Sequence, residues 1–287
     1  MSSERIVDSL DPADAFAALS DPKRVDILEA LWRADDQTAT FSELREAADI
    51  RDSGQFNYHL TKLADRFVRK GEDGYRLTLA GRHVVGSLLV GAYTTSEGME
   101  PVPLDDPCPF CGGTWTFHYE DERVRIDCEE CGLGIDLDVP PGVFAGYDRE
   151  AAPDVAKRYV RLQLRTASHG FCPLCEYRIE PRVVEPEDTG FADVEFPLVH
   201  YTCERCGEEV IAEVGTALVE HPSVVAFFYD HGVDVEAAPL SQFVATDDRS
   251  EVRRRDPLEV AVSFECEDET LTVVVDEQFR VLSTDRS

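Results

Sequence analysis

Eight of the nine cysteines in this chain stand in four Cys-x-x-Cys pairs. They are Cys108/Cys111 in "CPFCGG", Cys128/Cys131 in "CEECG", Cys172/Cys175 in "CPLC" and Cys203/Cys206 in "CERCG". Such a turn sets two thiolates about one metal diameter apart, and two facing turns close a tetrahedron of sulfur around one ion. The spacing groups the pairs into two complete sets, Cys108, Cys111, Cys128 and Cys131, then Cys172, Cys175, Cys203 and Cys206. Gly112, Gly132 and Gly207 follow their pairs, where the returning chain needs positive φ. Four cysteines per set leave no position open for water, so the expected ions are structural. Two zinc ions fit, with iron as the lesser alternative, because sulfur-only ligation does not separate them cleanly. In small zinc peptides the ion contributes on the order of 10–16 kcal/mol to folding. Redox chemistry at CPFC or CPLC would need one pair at a helix N-terminus after a strand. Here every pair has a second pair at matching spacing. His118, His169 and His200 lie near the sets, but complete sets leave them no ligand role.

The surrounding sequence must build hairpins to present these turns. "TWTFHYEDERVRIDC" (114–128) alternates Trp115, Phe117 and Tyr119, then Val124 and Ile126, the period of strands with one buried face. Both sets resemble zinc ribbons, related as an imperfect internal duplication. "PPGVFAGY" (140–147) follows the first and "HPSVVAFFYDHG" (221–232) the second. Between them "PDVAKRYVRLQLRTA" (153–167) reads as a helix with Lys157, Arg158, Arg161 and Arg165 along one side. Two roles stay open for this basic side, salt bridges to nearby carboxylates or contact with DNA or RNA polymerase. The tail "LEVAVSFECEDETLTVVVDEQFRVLST" (258–284) alternates as strands, with turns near 267–269 and 276–278. Cys266, the ninth cysteine, reads as a strand residue, with a redox-sensing thiol as the alternative. "TTSEGMEPVPLDDP" (94–107) is proline-rich, acidic and aperiodic, so it reads as a linker.

Composition sets the background. The chain has 287 residues, of which 43% are hydrophobic, as expected of two or three globular domains. Asp and Glu number 58 against 28 Lys and Arg, a formal net charge of -30, and only Lys23, Lys62, Lys70 and Lys157 are lysines. An acidic, lysine-poor surface resembles that of proteins from halophilic archaea. At molar salt the Debye length shrinks to roughly 3 Å, so self-repulsion is screened and the charge mainly serves hydration. The acidic first twenty residues do not suit a signal peptide. The longest apolar stretch, "VVGSLLVGAY" (84–93), is too short to span a bilayer. The expected location is therefore cytoplasmic, away from membranes, where paired cysteines hold metal rather than form disulfides.

Residues 51–82 depart from this background with seven basic and four acidic residues. A polyanion would choose this surface. Around it the sequence predicts helices at "DPADAFAALS" and "DPKRVDILEALW", with Asp11 and Asp21 as N-caps and Pro12 and Pro22 at the first helical position. A short third helix starts at Thr40 or Ser42. A fourth, in "RDSGQFNYHLTKLADRF", buries Phe56, Leu60 and Leu63 at i, i+4, i+7. "FVRKGEDGYRLT" reads as a hairpin. "LAGRHVVGSLLVGAY" reads as a last helix with an apolar stripe of Val84, Val85, Leu88, Leu89 and Ala92.

This order is that of a winged helix-turn-helix, and its residues resemble the ArsR-type transcription regulators. "LSDPKRVDILEAL" is similar to that family's second helix. "FSELREAADIRDSGQFNYHLTKL" is similar to its helix-turn-helix, with His59-Leu60 and Leu63 at the usual places. The resemblance implies binding to double-stranded DNA, with the fourth helix in the major groove. Gln55 and Asn57 can pair bidentately with adenine, and Ser53, Tyr58, Lys62 and Arg66 line the same side. Arg69, Lys70 and Arg76 suit phosphates, whereas the hairpin tip Glu72-Asp73 repels them. The cysteine-based metal sensing of many relatives does not carry over, because residues 1–107 contain no cysteine. His59 and His83 read as core or DNA-facing residues.

The expected architecture is α+β. It comprises a winged helix-turn-helix over 1–94, a linker over 95–107 and a first zinc ribbon over 108–150. A helix with the second ribbon follows over 151–235, then a C-terminal β segment over 236–287. The expected function is sequence-specific transcription regulation, with a zinc-stabilised C-terminal domain for regulation or interaction. The expected assembly is a homodimer paired through the Val84–Leu89 stripe, with the transcription machinery or an effector as further partners. The alternative is a basal-type transcription factor that contacts RNA polymerase or nucleic acid without sequence preference. No Ser/His/Asp set, phosphate loop or open metal site points to an enzyme.

Overall fold

The computed structural model describes residues 11–91, 93, 98–108, 111–132, 134–185, 196–236 and 249–287. The chain divides into two compact units, Met1–Thr95 with Pro140–Gly142, and Ser96–Val139 with Val143–Ser287.

The first unit is mostly helical, and its helix starts follow the capping chemistry of the sequence. Helices α1 (Pro12–Leu19) and α2 (Pro22–Arg33) begin where Asp11 accepts from the Ala13 N–H at 2.9 Å and Asp21 from the Lys23 N–H at 3.0 Å. Strand β1 (Thr38–Ala39) leads into α3 (Phe41–Ala47). Of the two possible caps there, Thr40 is used, in a reciprocal box with Glu43. The Thr40 N–H donates to the Glu43 carboxylate at 2.8 Å, and with the Thr40 hydroxyl it holds that carboxyl below its usual range. Helix α4 (Ser53–Leu63) is capped by Asp52, which accepts from the Gln55 N–H at 2.6 Å. Strands β2 (Val68–Lys70) and β3 (Tyr75–Leu77) form the hairpin, and β1 adds to β3 in the antiparallel order β1-β3-β2. Helix α5 (Leu79–Leu89) starts at Thr78. The core joins Ile27, Leu28 and Leu31 of α2 to Leu44, Phe56, Leu60, Leu63, Phe67, Leu77 and Val85. In the α5 stripe Val85 is buried, Val84 and Leu88 are half-buried and Leu89 is exposed. Ala92 lies outside the described residues.

The second unit corrects the linker expectation. Residues Met99–Pro107 form strand β4, hydrogen-bonded to β5 (Thr114–Glu120). The sheet continues through β6 (Arg123–Cys128) and β7 (Gly134–Asp138) in the order β4-β5-β6-β7. Pro101, Pro103 and Pro107 have no N–H to give a ladder, which an edge strand tolerates. A small core of Phe117, Tyr119, Val124, Val139, Ala152 and Ala156 lies against this sheet. Helix α6 (Ala152–Ser168) follows, then β8 (Glu180–Val184), β9 (Leu198–Thr202) and β10 (Glu209–Glu213) in an antiparallel sheet. Helices α7 (Val214–Leu218) and α8 (Pro222–Asp230) come next. The chain ends in a meander of β11 (Ser250–Arg255), β12 (Leu258–Cys266), β13 (Glu269–Asp276) and β14 (Val281–Arg286). The tail was expected to be a separate β segment. Instead Val260, Val262, Phe264, Leu271, Val273 and Val275 share one core with Ile179, Val183, Tyr201, Phe227 and Phe228. Alternation along β12 and β13 gives them an apolar face that only burial against the β8–β10 region covers. Residues 237–248 of that expected segment lie outside the described residues. Among the described residues no helix is long and apolar enough to cross a membrane.

Candidate metal centres and nucleic-acid interface

The eight paired cysteines converge as two groups of four. Within each group all four sulfurs lie within 4.8 Å of one another. In the first, Cys108 and Cys131 are 3.9 Å apart and Cys111 and Cys128 3.4 Å. In the second, Cys172–Cys206 and Cys175–Cys203 are both 3.6 Å. Four sulfurs about 2.3 Å from a central zinc, in a tetrahedron, stand about 3.8 Å from one another. Both groups fit that requirement.

The local backbone explains the fit. In all four turns the N–H four residues on donates back to the first cysteine's carbonyl. Gly112 bonds Cys108 at 2.8 Å, Gly132 bonds Cys128 at 3.0 Å, and Glu176 and Gly207 bond Cys172 and Cys203 at 2.9 Å. The N–H of Cys108, Cys172 and Cys203 donates in turn to the carbonyls of Gly113, Tyr177 and Glu208. The returning residue is left-handed each time, with φ of 75° at Gly112, 72° at Gly132, 79° at Gly207 and 60° at Glu176. Glycine marks three of these turns; Glu176 does not, so the fourth carries no such signal. The glutamates inside CEEC also work locally. Glu130 accepts from the Thr114 N–H at 2.7 Å, and Glu129 from the Thr116 hydroxyl at 3.1 Å.

Crowding shows in the thiol acidities. At Cys111 the Gly113 N–H favours the thiolate, but neighbouring sulfurs and burial prevail and push the thiol up to about 12. Cys206 is likewise pushed up to about 12: the Glu208 N–H favours its thiolate, while burial and the other sulfurs oppose it. At Cys203 burial opposes the thiolate, yet the N–H groups of Cys206 and Arg205 bring it down to about 7. Four thiolates cannot share one spot unless a cation offsets their charge, and a bound dication deprotonates its thiols outright. His118, His169 and His200 are not members of either group.

The basic side of α6 turns to internal partners. Lys157 pairs with Asp154 at 3.0 Å and Arg165 with Glu220 at 3.2 Å. Arg161 donates to the carbonyls of Val235 and Glu236 at 2.6 and 2.9 Å, and Arg158 lies over the Tyr147 ring. Cys266 is half-buried at the end of β12 beside the larger core.

On α4 the two faces separate. Phe56, His59, Leu60 and Leu63 are buried, whereas Ser53, Gln55, Asn57, Tyr58 and Lys62 are exposed. His59 therefore belongs to the core, 3.7 Å from the Asp21 carboxylate, and His83 is exposed. Arg66 is half-buried beyond the helix, and Arg69, Lys70 and Arg76 are exposed on the hairpin. The Lys62 ammonium lies over the Tyr58 ring and that of Lys70 over Tyr75. The sequence reading missed Lys23, whose Nζ donates to the Gln55 Oε1 at 2.9 Å. Thirty-two residues separate the two, so no local pattern could flag the pair.

A family model described as a domain of unknown function (DUF7347) matches residues 12–88, the span from α1 to α5. A second, described as a domain of unknown function (DUF7351), matches residues 105–281 and takes in both cysteine groups. No curated protein and no solved structure matches the chain. Because the second match covers more than half of the sequence, the chain belongs to the DUF7351 family.

Proposed function

We propose that residues 12–88 are a winged helix-turn-helix of the ArsR type that reads double-stranded DNA, in a transcription regulator whose second unit is held by two structural zinc ions. The observation that carries this reading is the division of α4 into a buried apolar face and an exposed polar one, within the net-basic stretch 51–82. A helix so divided can stay packed while its outer face enters a major groove. Asn57, Gln55 and Tyr58 then meet base edges, and Lys62, Arg69, Lys70 and Arg76 meet phosphates. The exposed Glu72 and Asp73 keep the hairpin tip off the backbone. Leu89 and Val90 are exposed at the end of α5, and Tyr93 lies just beyond it, as a homodimer paired through this helix requires.

The test is binding of the full chain to a selected duplex in molar salt. Asn57→Ala should cost roughly 1–3 kcal/mol and relax preference at one base position. Lys70→Ala should weaken all sequences about equally, because a phosphate carries no sequence information. If neither variant differs from the wild type, α4 is not the reader. The second reading, contact with the transcription machinery, draws on exposed Phe171, Leu174 and Tyr177 around the second cysteine group. It gains if alanine at these positions, and not in α4, removes function.

A further inference from the structure

We infer that Lys23 sets the base preference of Gln55, so that this position selects guanine rather than adenine. The inference rests on the proposal that α4 reads DNA. Both residues sit in the first turn of their helices with their backbones fixed. The Asp21 cap holds the Lys23 N–H and the Asp52 cap holds the Gln55 N–H. The Lys23 ammonium then reaches the Gln55 side chain at 2.9 Å. An ammonium can only donate, so the amide atom facing it must be the carbonyl oxygen. The Gln55 NH₂ is thereby turned away from Lys23.

A glutamine reads adenine by accepting from N6–H and donating to N7, which needs its oxygen at the base edge. With one lone pair of that oxygen held by Lys23, the pair presents the Gln55 NH₂ and the remaining ammonium protons against a single remaining lone pair, an edge weighted toward donors. Guanine offers two acceptors in the major groove, N7 and O6, and satisfies such a pair. Adenine would set its N6 amino group beside the Lys23 ammonium, donor against donor, with only the second lone pair of the Gln55 oxygen to receive it. Lys23 is thus a positioning residue that acts on bases through Gln55. A lysine contacting only a phosphate would instead change all affinities alike.

The experiment is selection of duplexes from a random pool by the full chain, wild type against Lys23→Met, Lys23→Arg and Gln55→Leu. Circular dichroism confirms that each variant is folded. Wild type and Lys23→Arg should select guanine at one position. Gln55→Leu should lose preference at that position alone. Lys23→Met frees the amide and should shift the position to adenine, changing the guanine-to-adenine ratio about tenfold or more. Adenine in the wild type, guanine retained by Lys23→Met, or a uniform loss in that variant overturns the coupling while leaving DNA reading intact. No enriched sequence with any protein overturns the DNA reading itself, and this inference with it.

Discussion

The two units hold their structure by different means. The first contains no cysteine, and its described helices start at capping residues, Asp11, Asp21, Thr40, Asp52 and Thr78. Its core joins α2 to α3, α4 and α5 through large, fully buried side chains. The second unit divides its burial. The larger core includes Cys172 and Cys203 among many aliphatic neighbours, whereas the core against the sheet β4–β7 has only six buried residues among those described, two of them alanines of α6. Local helical bonds need little help, but strands paired over a sparse core do, and there four cysteines stand close enough to hold an ion that would supply it. Both units pair some cations with carboxylates, as Arg33 does with Glu29 at 2.6 Å in the first. The first unit leaves Arg69, Lys70 and Arg76 exposed, while Lys157 and Arg165 of the second pair with carboxylates.

The largest expected effect is metal removal. A strong chelator should withdraw support on the order of 10 kcal/mol from the β4–β7 sheet. Amide exchange should then rise in β5 and β6 and stay unchanged in α2 and α4. Exchange that rises in both units together would break the contrast. Phe56→Ala should act in the opposite place, costing the first unit about 3–5 kcal/mol and lowering its denaturant midpoint, with or without chelator.

A smaller effect tests the caps. Thr40→Ala should destabilise the first unit by about 1 kcal/mol. Because the folded state holds the Glu43 carboxyl low, that carboxylate adds stability above the ordinary glutamate range. The contribution fades as pH falls through the folded value, and the variant should lose this part of the acid sensitivity. The smallest contrast lies within the metal turns. Gly132→Ala places a side chain at positive φ and should cost about 1 kcal/mol, while Glu176→Gly removes such strain and should stabilise by a similar amount. Chelator resistance of each variant reads both, and equal signs would contradict the shared turn geometry.

What was legible in the sequence follows from range. The Asp11 and Asp21 caps, the Phe56/Leu60/Leu63 face and the cysteine sets depend on fixed short spacings, and the structure places them as read. Strand β4 was hidden because its prolines argue against pairing, and only its place at a sheet edge makes them acceptable. The charged strand β11 shows no alternation strong enough to read. The union of the tail with the β8–β10 region, and the Lys23–Gln55 bond, arise from long-range packing that no window reports.

The measurement that bears most directly on the account is amide exchange of the full, metal-loaded chain in molar salt, with and without a selected duplex. The account predicts protection concentrated in α4 and the β2–β3 hairpin, with the amides of β5, β6 and both cysteine groups unchanged. Protection confined to the second unit, with α4 exchanging as in the free protein, would contradict it.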